Sequence, residues 1–225
     1  RSARADCHAA YRIHNADGSS ARQCGNGVRC LAAWLYRAEP GLPAVLRLDG
    51  PAGVVACTRL DDGRIRVDMG VPSFAPAALP FLAEADAPAY TLEVDATTLS
   101  IGIAAIGNPH AVIEVASVAE APVARIGAQV ERHPRFPDRA NVGFAEVVAP
   151  HAIRLRVFER GVGETLACGS GACAAAAVLI RRGRVRSPLA VTLPGGTLQI
   201  DWPGEGQSLS MSGPAAFVFE GTWNP

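Results

Sequence analysis

Two copies of a cysteine-glycine motif are the residues of this 225-residue chain whose types and spacing point most directly to chemistry. The first copy reads Cys24-Gly25-Asn26-Gly27, and the second reads Cys168-Gly169-Ser170-Gly171 more than half the chain later. In both copies a further cysteine, Cys30 or Cys173, follows within a run of mostly small and apolar residues. A repeat at this separation predicts two similar halves that face each other, each presenting one motif.

Each motif cysteine stands directly before a predicted helix, over residues 26–37 in the first copy and 170–182 in the second. A helix N-terminus carries about half a positive charge and several backbone N–H groups without a partner. Both features favour a thiolate and can also hold a carboxylate, while the glycines let the backbone approach a ligand closely. Each half is therefore predicted to offer a reactive sulfur, Cys24 or Cys168, beside a carboxylate-binding backbone.

Two such sulfurs fit the inversion of a carbon stereocentre next to a carboxylate. One cysteine removes the α-proton as a thiolate, and the other returns a proton to the opposite face as a thiol. The intermediate resembles an enediolate, and the two helix N-termini stabilise the extra charge on its carboxylate oxygens. We expect a small amino-acid substrate and no cofactor, because the glycine patterns typical of nucleotide sites are absent from the sequence.

The cysteines have two other interpretations, a metal site and a thiol redox site. Paired zinc ligands usually stand two to four residues apart, whereas the cysteines within each motif copy are further apart and no histidine lies near them. A redox module needs a Cys-x-x-Cys motif, which the sequence lacks. We therefore expect no metal, and we expect Cys30, Cys57 and Cys173 to be small buried hydrophobic residues.

Short segments rich in β-branched residues are separated by Gly, Pro and Asp and predict mostly antiparallel strands. Turn signals at Asp61-Asp62-Gly63 and Pro194-Gly195-Gly196 predict two hairpins, and 216–220 is expected to be the last strand. The second predicted helix is apolar nearly all round, so it should be enclosed by sheet.

These elements predict an α/β (α+β) fold of two pseudo-symmetric halves, with the active site in the cleft between them. Each half is expected to be a curved, mostly antiparallel sheet or barrel around a central helix. Residues 1–68 plus 214–225 are assigned to the N-terminal half and 69–213 to the C-terminal half.

Composition narrows the classes of partner. Lys plus Arg and Asp plus Glu are equal at 21 each, so no excess charge favours nucleic acid or an anionic membrane as partner. No apolar run approaches the roughly 18 residues that a membrane-spanning helix needs. Six cysteines are too few for a disulfide scaffold of this length, which favours a reducing compartment and a cytoplasmic location.

Further motifs accompany the two cysteines in a fixed order along the chain. They are Asn15-Ala16-Asp17-Gly18-Ser19, Gly107-Asn108-Pro109-His110, Arg139-Ala140-Asn141-Val142-Gly143-Phe144, Glu159-Arg160-Gly161 and Gly163-Glu164-Thr165. Together with the cysteine motifs, this series resembles the diaminopimelate epimerase family from about Tyr11 to the C-terminus. Several motifs in one order are far more specific than any one of them.

The resemblance implies an isomerase that interconverts LL- and meso-2,6-diaminopimelate for lysine and peptidoglycan synthesis, without metal, nicotinamide or pyridoxal phosphate. It implies that Cys24 and Cys168 are the catalytic acid and base, assisted by His110 and Glu159. The implied substrate-binding residues are the following: Asn15, Asn108, Asn141 and Arg160 for the distal end of the substrate, Glu159 for its amine, and Gly25, Asn26, Gly169 and Ser170 for the reacting carboxylate. A homodimer is common in that family, so an assembly of two copies is one expectation.

Two alternatives remain open at this point. Family members usually begin a few dozen residues earlier, so the chain is expected to be N-terminally truncated, and a non-catalytic binding remnant is one alternative. A proline racemase or hydroxyproline epimerase uses the same two-cysteine logic and is the other. A cyclic imino acid has no distal head group, however, so the motifs of Asn15, Asn141 and Arg160 argue against it.

Overall fold

Both predicted helices form, and each begins directly after its motif cysteine. The computed structural model describes residues 2, 4–14, 18, 20–21, 23–95 and 97–222. Within these residues there are three α-helices: α1 (Gly25–Ala38), α2 (Val123–Glu131) and α3 (Gly169–Arg181). A single 3-10 turn spans Pro76–Ala78. None of the helices in the described part of the chain is long and apolar enough to cross a membrane.

The helix α2 was not expected from the sequence. It has nine residues, and Pro122 at its N-terminus caps it without a side-chain hydrogen bond, so the usual start signal is missing. Its buried residues include Val123, Ile126 and Val130, which lie on one face. A Cβ on Gly127 would lie 2.6 Å from the Cβ of Phe158, so glycine allows this helix to pack tightly on the sheet.

The strands of the described residues form one large sheet and one small hairpin. In chain order they are β1 (Ala9–Ala10), β2 (Ile13–His14), β3 (Ser20–Ala21), β4 (Val45–Gly50), β5 (Gly53–Arg59), β6 (Ile65–Asp68), β7 (Tyr90–Val94), β8 (Thr97–Ala105), β9 (Pro109–Glu114), β10 (Asn141–Ala149), β11 (Ala152–Glu159), β12 (Gly163–Thr165), β13 (Leu189–Leu193), β14 (Gly196–Asp201) and β15 (Ser210–Gly213). The large sheet has the order β1-β4-β5-β6-β15-β14-β13-β11-β10-β9-β8-β7, with β12 added beside β11. The strands β2 and β3 pair only with each other.

Most neighbours in the large sheet are antiparallel, as predicted, and both expected hairpins form, β5 with β6 and β13 with β14. Three pairs are parallel: β1 with β4, β9 with β10, and β11 with β13. The last two pairs are connected through α2 and α3, because parallel neighbours need a long crossover. The predicted strand at 216–220 was wrong. The last strand within the described residues is β15, which pairs with β6 on one side and β14 on the other.

The helix α3 is the centre of the larger hydrophobic core. Ten of its thirteen residues are buried, from Gly169 to Leu179 apart from Ser170. The helix contacts seven strands of the large sheet: β8, β9, β10, β11, β13, β14 and β15. Strands lie about 4.8 Å apart, and a helix is about 10 Å wide, so a flat sheet could not offer so many strands to one helix. The sheet therefore curves around α3, as the apolar sequence of this helix predicted.

Three cysteines were predicted to be buried, and the prediction is confirmed for two of them. Cys57 and Cys173 have 0% exposure, but Cys30 is exposed. Helix α1 buries only one face, which includes Val28 and Ala32. Cys30 lies two residues from each of these and so about 200° around the helix, on the solvent side. The predicted division into two halves, residues 1–68 plus 214–225 and residues 69–213, stays a prediction. The pairing of β6 with β15 joins the two parts in one continuous sheet, so the sheet itself does not mark a boundary between them.

Candidate active site

The two motif cysteines occupy the same structural position. Cys24 is the N-cap of α1 and Cys168 is the N-cap of α3, and both have extended backbone conformations. The backbone N–H of Gly27 donates to Cys24 Sγ over 3.4 Å, and that of Gly171 donates to Cys168 Sγ over 3.4 Å. Each sulfur thus stands where a capping oxygen usually stands, at the positive end of a helix.

The two helix starts meet at one place in the fold. An ideal Cβ built on Gly25 would lie 2.7 Å from Met211 Cε, and one built on Gly169 would lie 3.1 Å from Met211 Sδ. The Gly169 position is also 3.0 Å from Asn26 Oδ1 of the opposite helix. A side chain at either position would force Met211 or Asn26 to move, so glycine at both positions favours the close approach of the N-termini of α1 and α3.

The carboxylate-binding residues implied by the resemblance therefore lie together. Gly25-Asn26 and Gly169-Ser170 form the first turns of the two helices, whose N–H groups have no carbonyl partner in a preceding turn. Asn15 lies outside the described residues, so its predicted role stays a prediction.

The two sulfurs differ in their surroundings. Cys24 is exposed, whereas Cys168 has 5% exposure. Burial, and then the nearby negative charge of Glu159, raise the pKa of the Cys168 thiol to about 12. The Ser170 hydroxyl, 3.7 Å from Cys168 Sγ, acts in the opposite direction with a smaller effect. In this state Cys168 is therefore the thiol, the form that can deliver a proton.

This difference predicts unequal rates of alkylation. The thiolate is the nucleophile, so iodoacetamide should modify exposed Cys24 at least about tenfold faster than Cys168 at neutral pH. Peptide mapping by mass spectrometry over time measures both rates in one sample. Cys57 and Cys173, which have 0% exposure, serve as internal controls that react only in the unfolded chain. Equal rates at Cys24 and Cys168 would contradict the described surroundings.

Glu159 is held close to Cys168 by a neighbouring strand. It is the last residue of β11, and the Thr165 hydroxyl of β12 donates to Glu159 Oε1 over 2.5 Å. The pairing of β11 with β12 places Gly163 and Thr165 beside the end of β11 and so sets this contact. The carboxylate is half-buried and fixed at one oxygen, which leaves the other oxygen for the substrate or Cys168.

Four of the remaining predicted residues line a cleft of about 680 Å³, whereas His110, Cys24 and Cys168 are not among its lining residues. The volume is within the range of about 300–1,000 Å³ typical of small-molecule sites. Its lining includes Asn108, Asn141, Glu159, Arg160 and Gln23. Asn108, Asn141, Glu159 and Arg160 come together because β9, β10 and β11 are neighbours in the sheet. The strands β9 and β10 begin on the same side of the sheet on which β11 ends.

Gln23 was not expected in the site, although it directly precedes Cys24. It comes from the first part of the chain and reaches the loop that carries Asn108. A Cβ on Gly107 would overlap the Gln23 carboxamide, and Gly107 has a φ of 75°, so glycine is needed there for two reasons. This contact brings the residue before Cys24 to the same cleft as Arg160.

The Asn141 side chain makes two hydrogen bonds to backbone groups of the protein itself. Its Nδ2 donates to the carbonyl oxygen of Pro109 over 3.0 Å, and its Oδ1 accepts from the backbone N–H of Arg160 over 3.0 Å. With 4% exposure, it has one N–H and one lone pair left for a ligand. The resemblance implied substrate binding. The structure adds that Asn141 fixes the backbone on both sides of the cleft.

His110 is a neutral, buried side chain beside this cleft. Its exposure is 1%, and its Nε2 lies 2.9 Å from Asn108 Oδ1, an acceptor, so Nε2 carries the proton. Burial, and then the positive charge of Arg160, lower the pKa of His110 to about 3. The hydrogen bond turns the amide N–H groups of Asn108 away from His110.

The buried His110 predicts a pH dependence of stability. Its pKa is about 3 in the folded chain and about 6.5 in the unfolded chain, so only the unfolded chain binds a proton between these values. The free energy of unfolding should therefore fall as the pH falls from about 6.5, with a contribution of up to about 1.4 kcal/mol per pH unit. Urea unfolding at about pH 7 and about pH 5 measures this slope.

The variant H110Q should lose this part of the slope, whereas H151Q, at an exposed histidine, should keep it. The comparison uses slopes, so any loss of stability common to both pH values cancels. An H110Q slope equal to that of the original chain would refute the assignment of a neutral buried imidazole.

Solved structures with similar folds show the fold class of this chain. A probable proline racemase from Agrobacterium radiobacter K84 superimposes with a TM-score of 0.68 at 18% identity, covering 94% of this chain and 70% of its own. A predicted epimerase from Pseudomonas aeruginosa superimposes with a TM-score of 0.65 at 17% identity, covering 91% and 76%. These similarities show the sheet-rich, pseudo-symmetric fold of racemases and epimerases and confirm the predicted fold class.

Closer relatives identify the family. The family model "Diaminopimelate epimerase" matches residues 3–75 and 102–218. A diaminopimelate epimerase of Xanthomonas axonopodis pv. citri (strain 306) is 56% identical over 217 residues, which are 96% of this chain and 76% of that protein. One of Stutzerimonas stutzeri (strain A1501) is 50% identical over 211 residues, 94% and 76% of the two chains. The chain belongs to the diaminopimelate epimerase family.

Proposed function

We propose that this chain is a cofactor-independent isomerase that interconverts LL- and meso-2,6-diaminopimelate with Cys24 and Cys168 as its acid and base. The observation that supports this most is the convergence of two cysteine-capped helices at Gly25 and Gly169. Both relatives described above carry the name of this enzyme. The product would serve lysine and peptidoglycan synthesis.

The proposed reaction begins with the substrate carboxylate against the first N–H groups of α1 and α3. One sulfur, as thiolate, takes the α-proton, and the electron pair of the broken C–H bond moves onto the carboxylate. The other sulfur, as thiol, then gives its proton to the opposite face of the same carbon. The two sulfurs end with exchanged protonation states, and the reverse direction uses them in exchanged roles. The helix N-termini offset the charge of the dianionic intermediate.

The starting direction follows from the described surroundings of the sulfurs. Cys168 is the thiol at neutral pH because burial and Glu159 raise its pKa. Cys24 is exposed at the N-terminus of α1, within reach of solvent and substrate. In the resting enzyme we propose Cys24 as the base and Cys168 as the acid.

The cleft lined by Asn108, Asn141 and Arg160 suits a substrate that has a second charged head group. Arg160 offers a guanidinium to a distal carboxylate, and Asn108 offers amide donors and an acceptor. Glu159 lies at the reacting end instead, close to Cys168, where it can accept from the ammonium group next to the reacting carbon. A proline racemase would have no use for Arg160 and Asn108, because a cyclic imino acid has no distal head group to reach them.

A substrate comparison tests the proposal. Purified chain is incubated separately with LL-diaminopimelate, L-proline and trans-4-hydroxy-L-proline, and the stereoisomers are separated by chiral chromatography. We expect meso-diaminopimelate to form and both imino acids to stay unchanged. Inversion of proline would favour the racemase alternative, and no inversion of any substrate would favour a non-catalytic binding remnant.

We further propose a cytoplasmic enzyme with a small-molecule substrate, no nucleic-acid or membrane partner, and assembly as a homodimer. All six cysteines are free, which suits a reducing compartment, and the formal net charge is zero. Light scattering coupled to size exclusion measures the assembly. A mass of one chain across micromolar concentrations would exclude the homodimer.

A further inference from the structure

Glu131, the last residue of α2, is a buried carboxylate that the proposed reaction does not use. Its side chain has 3% exposure. Buried carboxylates are rare unless hydrogen bonds or opposite charges compensate for lost water. The backbone N–H of Gly161 donates to Glu131 Oε1 over 2.7 Å. This short bond comes from the residue directly after Arg160.

The two arginines near Glu131 contribute less. Arg132 Nε lies 3.5 Å from Oε2, and Arg139 Nη1 lies 3.8 Å from Oε1. Their side chains are 69% and 51% exposed, so water screens both pairs. The hydrogen bond from Gly161 is therefore the shortest and best-defined contact of the Glu131 carboxylate.

Glu131 also holds the segment that leads into Asn141. The backbone N–H of Ala140 donates to the carbonyl oxygen of Glu131 over 3.3 Å. Asn141 Oδ1 in turn accepts from the N–H of Arg160. Glu131 thus binds both chain segments that bring Asn141 and Arg160 to the cleft. Together with the bond between Asn141 and Arg160, these contacts close a ring of hydrogen bonds.

The turn at Arg160 needs such support. Arg160 follows the end of β11, and Gly161 has a φ of 75°, so the chain leaves the sheet in a tight turn here. The Arg160 side chain is exposed, and its Nη1 donates to the carbonyl oxygen of Asp138 over 3.0 Å. A guanidinium binds a carboxylate well only when both are oriented, and misplacement by about 1 Å is costly.

We propose that Glu131 is a positioning residue for the distal head-group site, which it serves by fixing the Arg160-Gly161 turn against the segment of Asn141. The inference rests on the proposed function, because the distal head group is that of diaminopimelate. Glu131 touches no substrate and acts through Arg160 and Asn141.

Three variants at this position test the inference. E131Q keeps an oxygen that can accept from the Gly161 N–H but removes the charge. E131D keeps the charge but shortens the side chain by one methylene, so that it no longer reaches Gly161. E131A removes both. We expect E131Q to stay within about threefold of the original kcat/KM, and E131D and E131A to raise KM for diaminopimelate about tenfold, the effect of an unpaired backbone donor.

The expected split between constants distinguishes positioning from general damage. The kcat of E131D should change less than about threefold, because Cys24 and Cys168 lie on other elements, and the alkylation rate of Cys24 should stay unchanged. A neutral but acceptor-bearing side chain in E131Q should rescue KM. If circular dichroism shows that E131A is unfolded, the KM values of E131Q and E131D can still be compared with each other.

The outcomes separate this inference from the proposed function. An active original chain with equal KM values in E131Q and E131D would overturn the role of Glu131 and leave the epimerase proposal intact. A loss of kcat in E131D with unchanged KM would overturn it as well. An original chain that does not epimerise diaminopimelate would overturn the proposed function and this inference with it.

Discussion

Replacement of Cys24 or Cys168 by alanine is expected to lower the rate of diaminopimelate epimerisation roughly 10³-fold or more, each by itself. A positioned acid or base typically contributes about 10²–10⁴ to a rate, and inversion needs both groups in one turnover. The two losses should not add in the double variant, because either loss alone already interrupts the reaction. Chiral chromatography of the reaction mixture measures the residual rate.

Two other cysteines supply matched controls. Cys30 is exposed on the same helix as Cys24, and Cys173 is buried on the same helix as Cys168. Neither caps a helix, so C30A and C173A should keep their kcat within about threefold, which is small beside the effect of losing an acid or base. A C24A or C168A variant that stays within tenfold of the original rate would contradict the two-base account.

The second large effect is expected for E159Q, which should slow epimerisation about 100-fold while making Cys168 react faster with iodoacetamide. The negative charge of Glu159 is the second cause, after burial, of the raised Cys168 pKa. Glutamine removes that charge, so the pKa falls and more thiolate is present at a given pH. The rate of catalysis falls nevertheless, because the substrate ammonium loses the carboxylate that accepts its hydrogen bond and helps to orient the reacting carbon.

The opposite signs of these two changes make the test specific. E164Q is the matched control, because Glu164 lies on β12 beside the end of β11 but faces Arg156, with Arg156 Nε 2.6 Å from Glu164 Oε1. Its activity and its Cys168 alkylation should stay as in the original chain. Slower alkylation of Cys168 in E159Q would refute the electrostatic role of Glu159.

Local features of the sequence predicted the parts of the fold that depend on near neighbours. The helix starts after Cys24 and Cys168 were predictable because Cys-Gly-x-Gly presents a capping sulfur and glycines at the first turn. The two hairpins followed from Asp61-Asp62-Gly63 and Pro194-Gly195-Gly196, which are strong turn signals. The burial of α3 followed from its apolar sequence.

Features that depend on distant neighbours could not be predicted in the same way. Met211 lies between the two helix starts, yet nothing in its local sequence indicates this contact. The short helix α2 lacks a side-chain cap, and its packing depends on the close approach of Gly127 to Phe158. The parallel pairs across α2 and α3 join strands far apart in the chain, and hydrophobic patterns do not specify such partners.

The candidate site shows the same limit. The motifs predicted roles for Asn108, Asn141, Glu159 and Arg160, which line one cleft, but they implied no role for Glu131 or Gln23. The unequal surroundings of Cys24 and Cys168 also come from tertiary structure. Both stand in the same local motif, and only the packing of α3 and the nearby Glu159 make one of them a buried thiol.

The central claim is that two sulfurs serve opposite faces of one carbon, and deuterium incorporation tests it most directly. The chain is incubated with LL-diaminopimelate in heavy water, and product and remaining substrate are separated at low conversion and analysed by mass spectrometry. Two bases predict one deuterium on the inverted carbon of nearly every product molecule and almost none in the remaining substrate. Deuterium appearing in the remaining substrate as fast as in the product, or protium carried into the product, would contradict the account.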